Sequence, residues 1–201
     1  MKPEFHFDPI KHIYILNGKK IPSHSPISNL LFGEGHYPKD DTLPLDRGSY
    51  IHECCKLYLQ DKLDIEQLIK DGDEGWIGSL RAGLHALGVL GKKVYAEIPI
   101  YCENPTYGTT PDAVFPDQKT IVEFKTGGVE KEKHAMQLMA QCKAVFKFYG
   151  IVCNRLVILY LNPVGPFRKS KIYRFNARMF SVFQSGIVTW NCRNKRIKFD
   201  L

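Results

Sequence analysis

The stretch Tyr107–Lys125, with the sequence YGTTPDAVFPDQKTIVEFK, constrains the fold of this chain more than any other segment. Its first part predicts a strand that runs into Pro-Asp-Ala-Val and carries an acid at Asp112. Pro, Asp, Gln and Lys at 116–119 predict a turn. The apolar residues of 120–125 then predict a second strand, so we expect the stretch to form a hairpin.

The second strand of this hairpin combines charged and apolar side chains. Because side chains alternate between the two faces of a strand, Glu123 and Lys125 point to the same side. Val122 and Phe124 point to the other side, into a core. Ile121 shares the face of Glu123 and yet is apolar, which indicates a strand that is buried on both sides.

Two acids and a lysine therefore converge on a hairpin that is otherwise apolar. Buried charges destabilise a fold unless they are paired or bind a metal. A divalent cation held by Asp112 and Glu123, with Lys125 beside it, would account for the pattern. An ordinary hairpin whose charges are exposed or salt-bridged is the alternative.

The order of these residues matches a known motif. Pro111-Asp112, ten further residues and then Glu123-Phe124-Lys125 resemble the signature of the PD-(D/E)xK nuclease superfamily. The resemblance implies an α/β fold with a mixed central β-sheet flanked by helices, the restriction-endonuclease-like core. It also implies hydrolysis of phosphodiester bonds in DNA, with Mg²⁺ or Mn²⁺ as the cofactor.

A helix predicted over Asp46–Asp61 lies upstream of this motif and carries His52 near its N-terminal end. The sequence RGSYIH over 47–52, in which three residues separate Gly48 from His52, resembles the glycine–histidine segment of the RecB/Cas4-like branch of the superfamily, in which the histidine contributes to the metal site. The Asn-Gly hairpin turn at 17–18, followed by a segment rich in Pro and Ser, resembles phage-encoded exonucleases of that branch. The resemblance extends over residues 5–150.

The helix predicted over Glu130–Tyr149 is apolar over most of its surface. Gln137 and Gln141 lie one turn apart on one polar stripe, and Lys143 and Lys147 lie on another. RecB-like nucleases carry a helical glutamine at the position of Gln137, often with a tyrosine four residues later. Gln141 stands in place of that tyrosine, so the resemblance leaves the role of this helical turn open.

The resemblance implies a role for each residue of the motif. The implied metal ligands are His52, Asp112, Glu123 and the backbone carbonyl of Phe124. A nitrogen ligand would shift the preference somewhat towards Mn²⁺. Lys125, kept protonated by the two acids, would orient the attacking water or stabilise charge on the phosphoryl group. Gln137 would position the water or a DNA phosphate.

The net charge of +7 and the pI near 9.0 favour anionic partners, of which nucleic acid is the commonest. Hydrophobic and charged contents of 44% and 24% are typical of a globular protein in aqueous solution. Two basic clusters could contact phosphates or could be solvated faces. These clusters are Arg168, Lys169, Lys171 and Arg174, and then Arg193, Lys195, Arg196 and Lys198.

The six cysteines have no metal-site spacing, and the sequence contains no secretory signal and no long apolar run. This pattern predicts reduced thiols and a cytoplasmic location away from membranes, in the host cytoplasm if the chain is phage-encoded. A length of 201 residues predicts a single nuclease domain over 1–201. Its parts would be an N-terminal hairpin with helical additions (1–92), a catalytic core (93–162 with the helix 46–61) and a C-terminal strand and helix (163–201).

Three further predictions concern the surroundings of the motif. Residues 22–46 predict a loop with short helical turns, as around Ser28–Phe32. Val94–Tyr101 predicts one strand, from which Glu97 faces either the site or solvent. Asp46 or Ser49 could cap the helix that carries His52.

The predicted function is that of a metal-dependent DNA nuclease, an exonuclease that acts on DNA ends in recombination, repair or replication. Three alternatives are a structure-specific endonuclease, a DNA-binding module that keeps the fold without cleaving, and a structural subunit of a larger helicase–nuclease. The expected partner is single- or double-stranded DNA. A recombination or single-strand-binding protein, or a second copy of the chain, is a further expected partner.

Overall fold

The computed structural model of the protein describes residues 3–33, 43–128, 131–165, 167 and 169–194, and these residues form ten strands and six helices. The strands are β1 (Phe5–Asp8), β2 (Ile13–Leu16), β3 (Lys19–Ile21), β4 (Tyr95–Ala96), β5 (Ile100–Glu103), β6 (Thr106–Thr109), β7 (Ala113–Phe115), β8 (Thr120–Lys125), β9 (Arg155–Tyr160) and β10 (Lys169–Tyr173). The helices are α1 (His24–Phe32), α2 (Leu43–Leu59), α3 (Ile65–Lys70), α4 (Glu74–Ala86), α5 (Lys131–Tyr149) and α6 (Ala177–Arg193).

The central sheet has five strands in the order β10-β9-β8-β7-β4. Its only parallel pair among the described strands is β8 with β9, and α5 forms the crossover between them. The other neighbours are antiparallel, so the sheet is mixed. Helices cover both faces of this sheet. A separate antiparallel sheet, β1-β2-β3, comes before these elements in the chain. The predicted fold class is confirmed.

Strand β8 is buried on both faces, as its apolar residues predict. Val122 and Phe124 belong to a hydrophobic cluster formed with α2, α3 and α4. Ile121 belongs to a second cluster on the opposite face, formed with α5, α6 and α1. All residues of β8 before Lys125 are buried, and Lys125 itself is partly exposed at the end of the strand.

The N-terminal sheet packs against the strand that leads into the motif. The Tyr14 hydroxyl and Thr110 Oγ1 share a hydrogen bond of 2.7 Å, and the Gly108 amide donates to the Pro22 carbonyl at 2.9 Å. A Cβ atom at Gly108 would overlap the Tyr14 ring, so only glycine permits this close approach. The segment before Asp112 is thus fixed by the N-terminal part of the chain.

Two predicted strands are each interrupted. The strand expected over Val94–Tyr101 is divided into β4 and β5, with Glu97 at a φ of 49° and Pro99 between the two parts. Proline cannot donate to a sheet ladder, and a left-handed residue breaks the extended backbone. The strand expected for the first half of the motif hairpin is likewise divided into β6 and β7, and Pro111 and Asp112 lie in the break.

Two helices differ from their predicted extents. His24–Phe32 is a helix of nine residues, whereas a loop with short turns was expected there. The composition of 22–46 predicted a loop, but proline is tolerated in the first turn of a helix, where Pro26 lies. Helix α2 begins at Leu43, so neither Asp46 nor Ser49 occupies its N-cap position. None of the described helices is both long and apolar enough to cross a membrane.

Candidate active site

Three elements of the fold bring one histidine and two acids together. Helix α2 supplies His52, the end of β4 supplies Glu97, and the start of β7 supplies Asp112. His52 Nδ1 lies 3.5 Å from Asp112 Oδ1 and 4.0 Å from Glu97 Oε1, and one ligand atom from each residue lies within 4.8 Å of the others. An imidazole nitrogen with two carboxylate oxygens is a donor set that fits a divalent cation.

Asp112 is anchored on one side and directed at His52 on the other. Its side chain is buried, and Oδ2 accepts a hydrogen bond of 2.6 Å from the Phe124 amide. Burial alone would raise the pKa of Asp112. The neighbouring His52, Lys125 and the Phe124 amide outweigh burial and lower that pKa, so Asp112 is ionised at neutral pH. Conversely, the carboxylate of Asp112 raises the pKa of His52 despite the burial of the imidazole.

Glu97 is the site residue that the sequence left undecided between the site and solvent. Its carboxylate lines the same cavity as His52 and Asp112. Burial and the charge of Asp112 raise the pKa of Glu97 to about 7. Burial and the charge of Asp112 both disfavour the ionised form of Glu97, and a bound cation would favour it.

Glu123 is almost completely buried, and both of its oxygens accept hydrogen bonds. Oε1 accepts from Lys125 Nζ at 2.7 Å and from the Gln137 amide, and Oε2 accepts from Gln141 Nε2 at 2.7 Å. Burial and the nearby charge of Asp112 raise the pKa of Glu123, although these donors oppose the shift. Among the described residues, the three-residue cluster around His52 does not include Glu123.

Lys125 forms an ion pair with Glu123 at the end of β8. Burial alone would lower the pKa of Lys125, but the carboxylates of Glu123 and Asp112 outweigh burial and raise that pKa. Two histidines beside it are neutral, because burial and the charge of Lys125 lower the pKa of His24 to about 3 and that of His134 to about 4. With its pKa raised, Lys125 keeps its proton at neutral pH.

Phe124 contributes to the site through its backbone, since its side chain packs in the core on the other face. The Leu161 amide donates to the carbonyl of Lys125 at 2.8 Å, so the backbone N–H and C=O groups of Lys125 point towards β9. Neighbouring strand residues direct their N–H and C=O groups to opposite edges, so those of Phe124 point towards β7. The β7–β8 pairing ends at Ala113 and Val122, and the Phe124 amide reaches Asp112 instead.

One cavity of about 1010 Å³ connects these groups. Its lining includes His52, Glu97, Asp112, Glu123, Lys125 and Gln137. The charged residues that the sequence selected therefore face a common space. This volume is at the upper end of the range of about 300–1,000 Å³ that is usual for ligand-binding cavities.

Arg47 also lines this cavity, and two contacts hold it there. Its guanidinium lies 5.6 Å from the centroid of the Trp76 ring and 3.2 Å from Asp73. Neither predicted basic cluster contributes a described residue to the lining: Lys171, Arg174 and Arg193 are exposed elsewhere. The residues of these clusters that lie outside the described part of the chain are Arg168, Lys195, Arg196 and Lys198, and the side chain of Lys169 is also outside it.

No family model and no curated protein matches the chain. Among solved structures, the chain resembles a "putative exonuclease" from Eubacterium rectale, with a TM-score of 0.56 and 10% sequence identity over 89% of this chain and 83% of that chain. A second structure, that of SSO0001, has 17% identity over 57% of this chain and 62% of that chain, but its TM-score of 0.33 is too low to indicate a shared fold.

The likeness to the Eubacterium rectale protein is one of fold. Its coverage of 89% extends well beyond residues 93–162, so elements on both sides of the predicted core belong to the shared fold. At 10% identity, the likeness does not indicate the role of any residue in this chain.

Two site residues were not selected from the sequence. Glu97 gave a weak signal, an acid close to a proline in a short predicted strand beside the motif. Gln141 gave a clearer one, a polar residue inside an apolar helix one turn after Gln137. Neither signal identified a contact, because both contacts depend on residues distant in the sequence.

Proposed function

We propose that this protein is a metal-dependent deoxyribonuclease of the PD-(D/E)xK superfamily, in its RecB/Cas4-like branch, and that it acts on DNA ends. The observation that carries the proposal is the convergence of His52, Glu97 and Asp112 next to an ion pair of Glu123 and Lys125. These groups lie on or next to four separate elements, α2, β4, β7 and β8, so no local structural requirement accounts for their meeting. A cation-binding catalytic centre does account for it.

The residues nearest to one another would hold a divalent cation. His52, Glu97 and Asp112 supply the donor set, and the Phe124 carbonyl and Glu123 would add oxygen ligands. A bound Mg²⁺ or Mn²⁺ would lower the pKa of a coordinated water and offset the charge of the scissile phosphate. Two or more carboxylates with few nitrogen ligands are typical of sites for these hard cations.

Lys125 would act on the phosphoryl group. Its ammonium is held by Glu123 at 2.7 Å and remains charged at neutral pH. A fixed cation next to the reacting phosphate stabilises the negative charge that develops in the transition state. Gln137 donates to the same carboxylate and so helps to fix the position of Glu123, in addition to any contact with the water or a DNA phosphate.

A nucleic-acid substrate is supported by the net charge of +7 and by the name of the Eubacterium rectale protein, and DNA in particular by the resemblance to the PD-(D/E)xK superfamily. Arg47 at the cavity rim supplies a guanidinium, which binds phosphate oxygens well. The preference for ends rests on the resemblance to RecB-like exonucleases.

The proposal is tested by incubating the full chain with linear DNA and with covalently closed circular DNA of the same sequence. We expect the linear DNA to be degraded with Mg²⁺ or Mn²⁺, no degradation in EDTA, and slow or no attack on the circle. Rapid cleavage of the circle would instead assign an endonuclease. Salt-sensitive DNA binding without cleavage under any metal would assign a binding module.

A further inference from the structure

Gln141 is buried among apolar residues of α5 and yet donates a hydrogen bond to the candidate site. It is fully buried, and its Nε2 lies 2.7 Å from Glu123 Oε2. Its neighbours on α5 with no exposed surface, such as Leu138, Ala140 and Ala144, are apolar. Within the described part of α5, Gln141 is the one buried polar residue.

The other end of the Gln141 amide has no partner. Its Oε1 is buried and accepts no hydrogen bond from any described residue. Leaving a buried acceptor unpaired is unfavourable, so a residue that merely fills space would be better replaced by an apolar one. The hydrogen bond from Nε2 to Glu123 offsets part of this cost.

The contact limits how the Glu123 carboxylate can be oriented. An ionised carboxylate offers about four acceptor positions. Lys125 and Gln137 occupy positions on Oε1, and Gln141 occupies one on Oε2. Without Gln141, the donors on Oε1 alone would allow the carboxylate to rotate about the end of its side chain.

We propose that Gln141 is a positioning residue that holds the Glu123 carboxylate in one orientation for the divalent cation. Gln141 itself does not touch the cation or the substrate; it acts through Glu123. This inference rests on the proposed function, since it requires that Glu123 contributes to a cation site. It assigns a role to a position for which the resemblance implies none, because the related nucleases often carry a tyrosine there.

The test measures cation binding and not only cleavage. Gln141→Met keeps the length and burial of the side chain but removes the donor. Cys142→Ala is a matched control on the same helix, since Cys142 is also buried but its Sγ contacts the Cys153 carbonyl and not Glu123. Mn²⁺ is titrated calorimetrically into the full chain of the wild type and both variants, and thermal unfolding in EDTA checks that each is folded.

We expect Gln141→Met to weaken Mn²⁺ binding by about tenfold or more, the usual loss when a group that orients a metal ligand is removed. Cys142→Ala should bind Mn²⁺ as the wild type does. Equal affinity in the wild type and Gln141→Met would overturn the inference and leave the proposed function intact. A wild type that binds no Mn²⁺ would overturn both.

Gln141→Leu is a second variant in case the methionine does not fold. A folded Gln141→Leu protein with weakened Mn²⁺ binding supports the inference in the same way. Failure of both variants to fold, with Cys142→Ala folded, would contradict the inference, because Gln141 would then be a core residue required for packing.

Discussion

The Phe124 amide donates a hydrogen bond of 2.6 Å to Asp112 Oδ2, while Asp112 Oδ1 lies 3.5 Å from His52 Nδ1. One oxygen of this carboxylate thus joins β7 to β8 beyond the end of their ladder, and the other faces the candidate cation site. Asp112 therefore contributes both to the pairing of the two strands and to the candidate cation site. The hydrogen bond to the Phe124 amide fixes Asp112 against the strand that carries Glu123.

The first prediction separates these two roles of Asp112. Asp112→Asn keeps an oxygen that can accept from Phe124 but removes the charge. We expect a folded protein whose metal-dependent cleavage falls at least about a hundredfold, as when an electrostatic stabiliser is lost. Asp112→Ala should also lose about 1–3 kcal/mol of stability, because a buried amide is left unpaired. Urea unfolding and cleavage assays measure both effects, and full activity in Asp112→Asn would contradict the proposed role.

The second prediction concerns His52, for which His85 near the end of α4 provides a control. His52→Ala removes a candidate ligand without disturbing the motif hairpin. We expect the Mn²⁺ concentration for half-maximal cleavage to rise about tenfold or more, with partial recovery at excess metal. His85→Ala should leave that concentration unchanged. An unaltered metal requirement in His52→Ala would make His52 a structural residue only.

The third prediction follows from the raised pKa of Glu97, about 7 in the folded protein against an ordinary value of 4.5. Between these values the folded state binds more protons than the unfolded state, so the free energy of unfolding falls as pH rises through this window. Glu97→Gln removes the ionisable group and with it this fall in the free energy of unfolding. Without metal, the variant should therefore be more stable than the wild type at about pH 8, and the difference should shrink towards about pH 5.

Thermal unfolding in EDTA across this pH range measures the difference, with the exposed Glu103→Gln variant as the control. Saturating Mn²⁺ should reverse the order at high pH, because a cation stabilises the form of the protein that binds it. A stability difference that does not change with pH would contradict the environment described for Glu97.

The fourth prediction tests how α4 packs on the sheet, using two glycines of the same helix. Gly78 is exposed and a Cβ there meets nothing within 4 Å, whereas a Cβ at Gly83 would lie 2.5 Å from Leu159 Cδ1. Gly78→Ala should stabilise the protein by up to about 1 kcal/mol through helix propensity. Gly83→Ala should destabilise it by about 1–3 kcal/mol through overpacking. Equal effects in denaturant unfolding would contradict this packing.

The elements with strong local signals were predictable. Strand β8 occupies Thr120–Lys125 as its alternation and burial pattern indicated. Helix α6 follows Asn176, whose side chain accepts from the Met179 amide at 3.1 Å, as expected of an N-cap. These signals act over a few residues, so the sequence contains all the information that they need.

The details that were missed depend on distant contacts. The break at Glu97 places its carboxylate beside Asp112, and the backbone amide of Glu97 donates to the Asp112 carbonyl at 3.1 Å. That pairing joins two segments that are separate in the sequence. The direction of the Gln141 amide likewise depends on Glu123, which lies on another element. Periodicity identifies which face a residue occupies but not which partner meets it there.

The central claim is that Lys125 and the acids around it catalyse metal-dependent hydrolysis of DNA. The most direct measurement follows the release of label from end-labelled linear DNA with Mg²⁺ or Mn²⁺, comparing the wild type with Lys125→Ala. We expect metal-dependent release by the wild type and a loss of at least about a hundredfold in the variant, whose thermal unfolding should still show a folded protein. Equal rates of release by the two proteins would contradict the account.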